Sequence, residues 1–103
     1  MNYVHLGCWK DSSNRAIPPI EGYDVRIQDN YREREDAINK CFTVAKEWKL
    51  VLFAVQDGGQ CFAGGNLDGY MRYGKSESCR IGKGGFWAND VYHITNRSPQ
   101  RKL

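Results

Sequence analysis

The sequence lacks a hydrophobic run that would cross a membrane. Its longest apolar stretch, at positions 50–55, falls far short of the ~20 apolar residues that a membrane helix needs. It also lacks a nucleophile elbow, a P-loop and the H-E-x-x-H zinc motif. It has only two histidines and three prolines. We therefore expect no membrane insertion and no enzymatic activity.

Metal and nucleic-acid chemistry have little support. His5 and His93 fall on predicted strands without an acidic partner at a recognised spacing, so we expect ordinary strand residues. Asp57, Asp68 and Asp90 are candidates for a calcium site, but no calcium-loop spacing connects them. The net charge of +3 is mild, whereas nucleic-acid binding usually needs a concentrated basic stripe. We expect no metal, no cofactor and no nucleic-acid partner.

Four cysteines, Cys8, Cys41, Cys61 and Cys79, are spread along the 103 residues without a close pair. A structural zinc site usually presents its ligands in tight C-x-x-C couples. The wide spacing favours two disulfides over free thiols or a metal site. Because disulfides persist in oxidising compartments, the sequence predicts a secreted or extracellular protein. It shows no signal peptide, so we expect that one was removed or that the domain belongs to a longer chain.

The pattern of apolar residues predicts one α+β domain at 1–96, followed by a frayed basic tail at 97–103. One helix should pack on an antiparallel sheet, with a first strand, a central apolar strand, its hairpin partner and a closing strand beside the first. The predicted strands are 3–9, 50–56, 60–63 and 91–94, with a short strand at 25–27 and the helix at 31–48.

The predicted helix carries one of the cysteines on its buried side. Asn30 is its expected cap, with Glu33 as capping-box partner. Its apolar stripe consists of Ile38, Cys41, Phe42, Ala45 and Trp48. The hairpin signal Asp57-Gly58-Gly59 returns the chain beneath that stripe. This favours a Cys41–Cys61 bridge and leaves Cys8 to pair with Cys79, although sequence alone permits three connectivities.

The stretch 84–90, Gly-Gly-Phe-Trp-Ala-Asn-Asp, combines an aromatic ring with amide and carboxylate groups. Sugar sites need both, because sugars present apolar faces and many hydroxyls. In the alternative interpretation, Trp87 and Tyr92 are core residues and Asn89-Asp90 forms a turn. The candidate carbohydrate-binding residues are Trp87, Asn89, Asp90, Tyr70, Tyr73 and Lys75. Lys75 would favour acidic or sulfated sugars, or is simply a solvated lysine.

Asp11 and Arg15 are predicted to act structurally, through a salt bridge or turn hydrogen bonds in the first loop. Direct contact with a sugar is the alternative for these two residues.

Several motifs in order resemble the WSC domain, an extracellular, cysteine-rich, carbohydrate-binding family. They are Leu6-Gly7-Cys8-Trp9-x-Asp11, Ala37-Ile38-x-x-Cys41, Phe53-Ala54-Val55-Gln56-x-Gly58-Gly59-x-Cys61, Gly84-Gly85 and Val91-Tyr92. The chain departs from the family by having fewer cysteines. Ala45 and Ala63 stand where two family cysteines would be, and Lys83 stands at another such position. The resemblance implies a PAN/apple-like fold, with one helix across an antiparallel sheet.

We therefore expect a non-catalytic, lectin-like module that binds glycans or glycoproteins. The alternatives are a protein–protein adhesion module of the same fold and an accessory domain of a larger secreted protein. Adhesion would need a contiguous apolar patch rather than a polar-aromatic pocket. Weak single-site binding would call for a homodimer or a multi-domain parent.

Overall fold

The computed structural model describes residues 2–95, in which one α-helix packs on a four-stranded antiparallel sheet. Two disulfides complete this α+β architecture. The predicted domain end at residue 96 and the predicted tail at 97–103 lie outside the described residues. Within those residues, no helix is long and apolar enough to cross a membrane.

The sheet contains β1 (Asn2–Lys10), β2 (Leu52–Gln56), β3 (Gln60–Gly64) and β4 (Ala88–Thr95). Their order is β1-β4-β2-β3, and all neighbours are antiparallel. The predicted central strand is confirmed, because every residue of β2 is buried between β3 and β4. The closing strand does lie beside the first. It begins at residue 88, however, earlier than the predicted 91.

The turn between β2 and β3 sits against an upstream segment of the chain. Gly58 has φ 105°, and a Cβ there would lie 2.8 Å from the carbonyl oxygen of Arg32. A side chain at this position would therefore clash with the backbone. The predicted hairpin at 57–59 is confirmed, and its close approach brings Tyr31 and Arg32 to the end of β2.

The helix α1 (Ala37–Glu47) begins later than the predicted residue 31. Residues 31–33 instead form a 3₁₀-helix, whose Asn30 side chain accepts a hydrogen bond from the backbone N–H two residues on. Arg34 is extended, with ψ 129°, and Asp36 is left-handed, with φ 56°. The predicted capping box is therefore wrong. The chain leaves the helical path because Arg34 turns into the protein interior.

The Arg34 side chain is fully buried, and all five of its N–H donors can be accounted for. Its two terminal nitrogens donate to the Glu21 carboxylate at 2.8 and 2.7 Å. The remaining bonds go to the carboxylate and carbonyl of Asp29 and to the carbonyl of Gly59. The hydrogen bonds that Arg34 donates to Glu21 raise the pKa of Arg34, and those that it donates to Asp29 add to the effect. Satisfying every donor is what makes the burial of this cation tolerable.

The predicted strand at 25–27 is a 3₁₀-helix instead. The Asp24 carboxylate accepts hydrogen bonds from the backbone and guanidinium of Arg26, which lower the pKa of Asp24 to about 2. Arg26 also donates to Glu47 at the end of α1. Local capping by Asp24 thus replaces strand pairing and buries Ile27 under the helix.

Two apolar clusters lie on opposite faces of the sheet. The helix-side cluster includes Cys41, Phe42, Ala45 and Ala63. The cluster on the far side consists of Ile17, Leu52, Ala54, Phe62 and Val91, with Trp9 and Tyr70 packed against it. One member of the predicted helix stripe is wrong: Trp48 caps the C-terminus of α1 and is 41% exposed.

The two disulfides join Cys8 to Cys79 and Cys41 to Cys61, as predicted. The Cys41–Cys61 bridge ties α1 to β3, and both of its residues are completely buried. The Cys8–Cys79 bridge ties β1 to the loop before β4 and lines a surface cavity. The two bonds therefore differ sharply in access to solvent.

We expect limited reductant to open Cys8–Cys79 before Cys41–Cys61, because thiol–disulfide exchange needs an attacking thiolate to reach a sulfur atom. Alkylation of the partly reduced protein followed by mass spectrometry of its peptides gives the order. Equal labelling of all four cysteines at every reductant concentration would contradict this prediction.

We expect Arg34→Lys to lower the free energy of unfolding by about 3 kcal/mol, because a lysine keeps the charge but cannot satisfy Glu21, Asp29 and Gly59 together. The matched control is Arg32→Lys, since Arg32 is 63% exposed in its pair with Asp57. It should cost at most about 1 kcal/mol. Urea unfolding measures both, and equal losses would refute a special role for Arg34.

Candidate functional site

A tight turn presents two aromatic side chains immediately before β4. Gly85 and Ala88 exchange backbone hydrogen bonds of 3.0 and 3.2 Å, which leaves Phe86 and Trp87 at the tip. Phe86 is 73% exposed and Trp87 is 41% exposed. Trp87 has φ 56°, a left-handed conformation that turns normally give to glycine or asparagine. A bulky ring here is conformationally costly, so its presence calls for an explanation.

Two glycines hold this turn against the end of β2. A Cβ at Gly84 would lie 2.1 Å from the carbonyl oxygen of Val55, and one at Gly85 would lie 2.4 Å from that of Ser78. The Asp57 N–H also donates to the Gly85 carbonyl at 3.1 Å. These contacts fix the aromatic turn beside the β2–β3 hairpin turn.

Arg15 lies against the Trp87 ring, with its guanidinium carbon 4.8 Å from the ring centroid. One of its terminal nitrogens donates to Asp11 at 2.9 Å and to Gln56 at 3.3 Å. The Asp11 N–H donates to the Trp87 carbonyl, also at 2.9 Å. The predicted salt bridge between Asp11 and Arg15 is present; it holds the first loop and supports the tryptophan.

The polar network continues into the protein. The Gln56 amide nitrogen donates to Asp11 at 2.9 Å and to Asn89 at 2.7 Å. The amide nitrogen of Asn89 is buried without a partner in residues 2–95. Burial alone would raise the pKa of Asp11, but hydrogen bonds from Ala16, Gln56 and Arg15 outweigh it and lower that pKa below its ordinary value. Asp11 is therefore a charged anchor beneath the aromatic turn.

Trp87 lines a cavity of about 200 Å³, which we call the aromatic pocket. Its walls are Arg15, Tyr31, Arg32, Gln56, Asp57, Gln60, Phe86 and Trp87. A second cavity of about 420 Å³, the basic pocket, is lined by Arg32, Asp57, Gly58, Ser78, Arg80, Lys83, Gly84, Gly85 and Phe86. Because the two share Arg32, Asp57 and Phe86, they adjoin each other.

Of the six predicted carbohydrate-binding residues, only Trp87 lines the aromatic pocket. Asn89 and Asp90 belong to β4 rather than to a loop, and they are 0% and 3% exposed. The placement of these two residues on exposed loops is therefore wrong. Asn89 is enclosed because Gln56 reaches it from β2, and Asp90 because His5 and Tyr92 bind its two oxygens.

Tyr70, Tyr73 and Lys75 lie away from the aromatic pocket, in the loop region between β3 and β4. Tyr70 packs edge-to-face on Trp9 with centroids 5.5 Å apart, and the Lys75 ammonium lies 5.9 Å from the Trp9 centroid. The Tyr73 hydroxyl donates to the Asn14 carbonyl. These contacts fasten the loop to the far side of the sheet.

Sequence reasoning missed Tyr31, Arg32 and Gln60 as neighbours of Trp87. Gln60 follows the predicted hairpin turn directly. The sequence could therefore have predicted its position at the same end of the sheet as that turn. Tyr31 and Arg32 reach the pocket through the packing of Gly58 on their backbone, and this long-range contact leaves no local sequence signal.

A second network of polar side chains lies on the helix side of the sheet. A ring nitrogen of His5 binds one Asp90 oxygen, and the Tyr92 hydroxyl donates to the other at 2.8 Å. Burial, reinforced by the Asp90 carboxylate, raises the pKa of Tyr92. Tyr92 therefore remains a hydrogen-bond donor, and the chain of contacts fastens β1 to β4. The His5–Asp90 pair escaped prediction because the two residues are far apart in sequence.

No cluster of three potential metal-ligating side chains occurs in residues 2–95. Asp57 lies at the hairpin turn, Asp68 in the following loop and Asp90 in β4, so these residues do not gather around an ion.

Comparison with known protein families found no family model that matches this chain, and comparison with curated proteins found no match either.

We expect Asp11→Asn to lower the free energy of unfolding by about 1–3 kcal/mol at neutral pH, because the charged hydrogen bonds to Arg15 and Gln56 are weakened. A depressed pKa means that this stabilisation is present above the ordinary carboxyl pKa and is lost as the pH falls through the lowered value. The difference between wild type and variant should therefore shrink in acid.

Urea unfolding of both proteins at neutral and acidic pH tests this pH dependence. Asp68→Asn is the control, because Asp68 is exposed in a loop and its replacement should change little at either pH. An Asp11→Asn deficit that persists undiminished in strong acid would contradict the charge-based explanation.

Proposed function

We propose that this protein is a non-catalytic, extracellular domain of WSC-like, PAN/apple-related type that binds glycans or glycoproteins in the aromatic pocket. The two disulfides suit an oxidising compartment. The helix on an antiparallel sheet agrees with the fold that the WSC resemblance implies.

The pair of exposed rings on the turn before β4 carries the proposal. The glycine contacts brace the backbone that carries Phe86 and Trp87, and Trp87 adopts its left-handed conformation at a cost of about 1–3 kcal/mol. Arg15 keeps the tryptophan oriented from one side. A rigid exposed ring gives the apolar face of a sugar a platform with little loss of entropy on binding.

Polar groups around the rings match the hydroxyls of a sugar. Asp57 offers carboxylate oxygens that accept from hydroxyls, and the half-buried Gln60 amide both donates and accepts. Arg32, which pairs with Asp57 at 3.1 Å, contributes further donors. The aromatic pocket thus combines the two kinds of contact that recognition of a sugar requires.

A pocket of about 200 Å³ implies weak single-site binding, roughly micromolar to millimolar. Useful avidity would come from several linked copies, in a homodimer or a multi-domain parent. An accessory domain of a larger secreted protein fits the same scheme.

A protein–protein adhesion module is the second candidate. It is favoured by the full exposure of Ile81 together with the 73% exposure of Phe86 on the same loop segment. Large apolar side chains exposed to solvent are typical of protein contacts where they form one patch. A wild-type protein that binds no glycan on a broad array would favour this candidate.

We expect Trp87→Ala to weaken glycan binding about five- to thirtyfold, because a lost ring contact is worth on the order of 1–2 kcal/mol. An array screen of a multivalent form of the protein would find the ligand, and titration of the monomer would measure the loss. Circular dichroism and urea unfolding would establish that the variant is folded.

Trp48→Ala is the matched control, since Trp48 is also 41% exposed but lies at the C-terminal end of α1. It should bind like the wild type. A folded Trp87→Ala protein with undiminished binding would remove the site from the aromatic pocket. Equal losses in both variants would show only a general dependence on tryptophan.

A further inference from the structure

The basic pocket contains more positive than negative charge. Arg32, Arg80 and Lys83 line it, and Asp57 is the only carboxylate among its walls. Asp57 pairs with Arg32 at 3.1 Å. Within residues 2–95, Arg80 and Lys83 take part in no ion pair with a carboxylate. Two cations thus face the same cavity without an internal counter-charge.

Backbone hydrogen bonds hold those two cations at the ends of a tight turn. The Arg80 N–H donates to the Gly84 carbonyl at 2.9 Å, and the Lys83 N–H donates to the Arg80 carbonyl at 3.0 Å. The Gly58 N–H donates to the Lys83 carbonyl at 2.9 Å. Cys79, one residue before Arg80, is linked by disulfide to β1. The backbone that carries both charges is therefore braced on two sides.

The basic pocket also adjoins the aromatic pocket, with Arg32, Asp57 and Phe86 shared between them. A ligand that places a ring against Trp87 therefore reaches the basic pocket with its next substituent or its next sugar. Solvated lysines and arginines are common on protein surfaces. What distinguishes this pair is its position in a concave, braced cavity beside a candidate sugar platform.

We propose that the basic pocket is an anion subsite and that the ligand is an acidic glycan bearing sulfate or carboxylate groups. This proposal rests on the proposed function, because it assumes that the adjoining aromatic pocket holds a sugar ring. The Arg80 guanidinium presents paired donors that match the oxygens of a sulfate or carboxylate, and Lys83 adds a point charge. The sequence analysis assigned the preference for acidic sugars to Lys75, which lies over Trp9. This proposal assigns it to Arg80 and Lys83 instead.

The test compares the wild type with Arg80→Gln/Lys83→Gln on three immobilised probes: heparin, desulfated heparin that keeps its carboxylates, and uncharged chito-oligosaccharide. We expect the wild type to prefer the charged probes. The double variant should bind them about tenfold or more weakly and bind the neutral probe almost unchanged. The two charged probes separate sulfate from carboxylate recognition. Preference for either supports the proposal.

The matched control is Lys46→Gln/Lys49→Gln, which also removes two positive charges, but near the C-terminal end of α1. That end lies just before β2, whereas the basic pocket lies beyond the other end of β2. We expect the control to lose less than about twofold. Equal losses of binding in both double variants would mean that only the net charge of the protein matters, and this would overturn the anion subsite.

Trp87→Ala separates this proposal from the proposed function. If the sugar platform is right, it weakens binding to all three probes. Suppose that Arg80→Gln/Lys83→Gln loses heparin binding while Trp87→Ala binds fully. The anion site would then stand, but the sugar platform would be rejected, and with it the assignment of the ligand as an acidic glycan. Vesicles containing phosphatidylserine are the last probe. Binding to them that depends on Arg80 and Lys83, without binding to heparin, would overturn the glycan assignment.

Discussion

The end of the molecule that holds the candidate site depends on the hydrogen bonds of the buried Arg34 guanidinium. It binds Glu21 and Asp29 on the loop before α1 and the carbonyl of Gly59 in the hairpin turn. Glu21 in turn accepts a hydrogen bond from the backbone N–H of Cys61. Three chain segments are thus joined through one cation. Removing a partner would leave a buried charge unpaired, which typically costs several kcal/mol.

This constraint also shapes the pockets. Because Arg34 must enter the interior, the chain cannot continue as a helix from residue 31. The short 3₁₀-helix that replaces it carries Tyr31 and Arg32 to the hairpin turn, where Gly58 fits against their backbone. Both side chains then line the aromatic pocket. The same packing that stabilises the core therefore builds one wall of the candidate site.

Much of the fold was predictable from local pattern. The uninterrupted apolar run of β2 indicated a central strand, and Asp57-Gly58-Gly59 indicated its hairpin. The position of Cys41 on the helix stripe then favoured the pairing with Cys61. The helix start was not predictable in this way, because Asn30 resembles an ordinary cap. Nothing local reveals that Arg34 binds Glu21 and Gly59.

The candidate site was only partly predictable, for a related reason. Asn89 and Asp90 look like exposed loop residues, because buried amides and carboxylates are uncommon without partners. Their partners come from other strands: Gln56 for Asn89 and His5 for Asp90. Trp87 was predicted as a site residue because glycines and polar residues surround it in the sequence. Protein cores also contain aromatic rings, so this pattern left a core position open as well. Only the tertiary contacts decide which ring remains in solvent.

The conformation of Trp87 connects stability to the proposed function. A turn at this position would be easier to form with glycine, and the left-handed backbone costs a tryptophan about 1–3 kcal/mol. The unpartnered amide nitrogen of Asn89 adds a further cost in the network beneath it. The contact with Arg15 returns only part of this, since a cation–π contact is worth about 0.5–2 kcal/mol. The proposed glycan would pack against the part of the Trp87 ring that stays exposed, and that contact would account for a strained tryptophan at the tip.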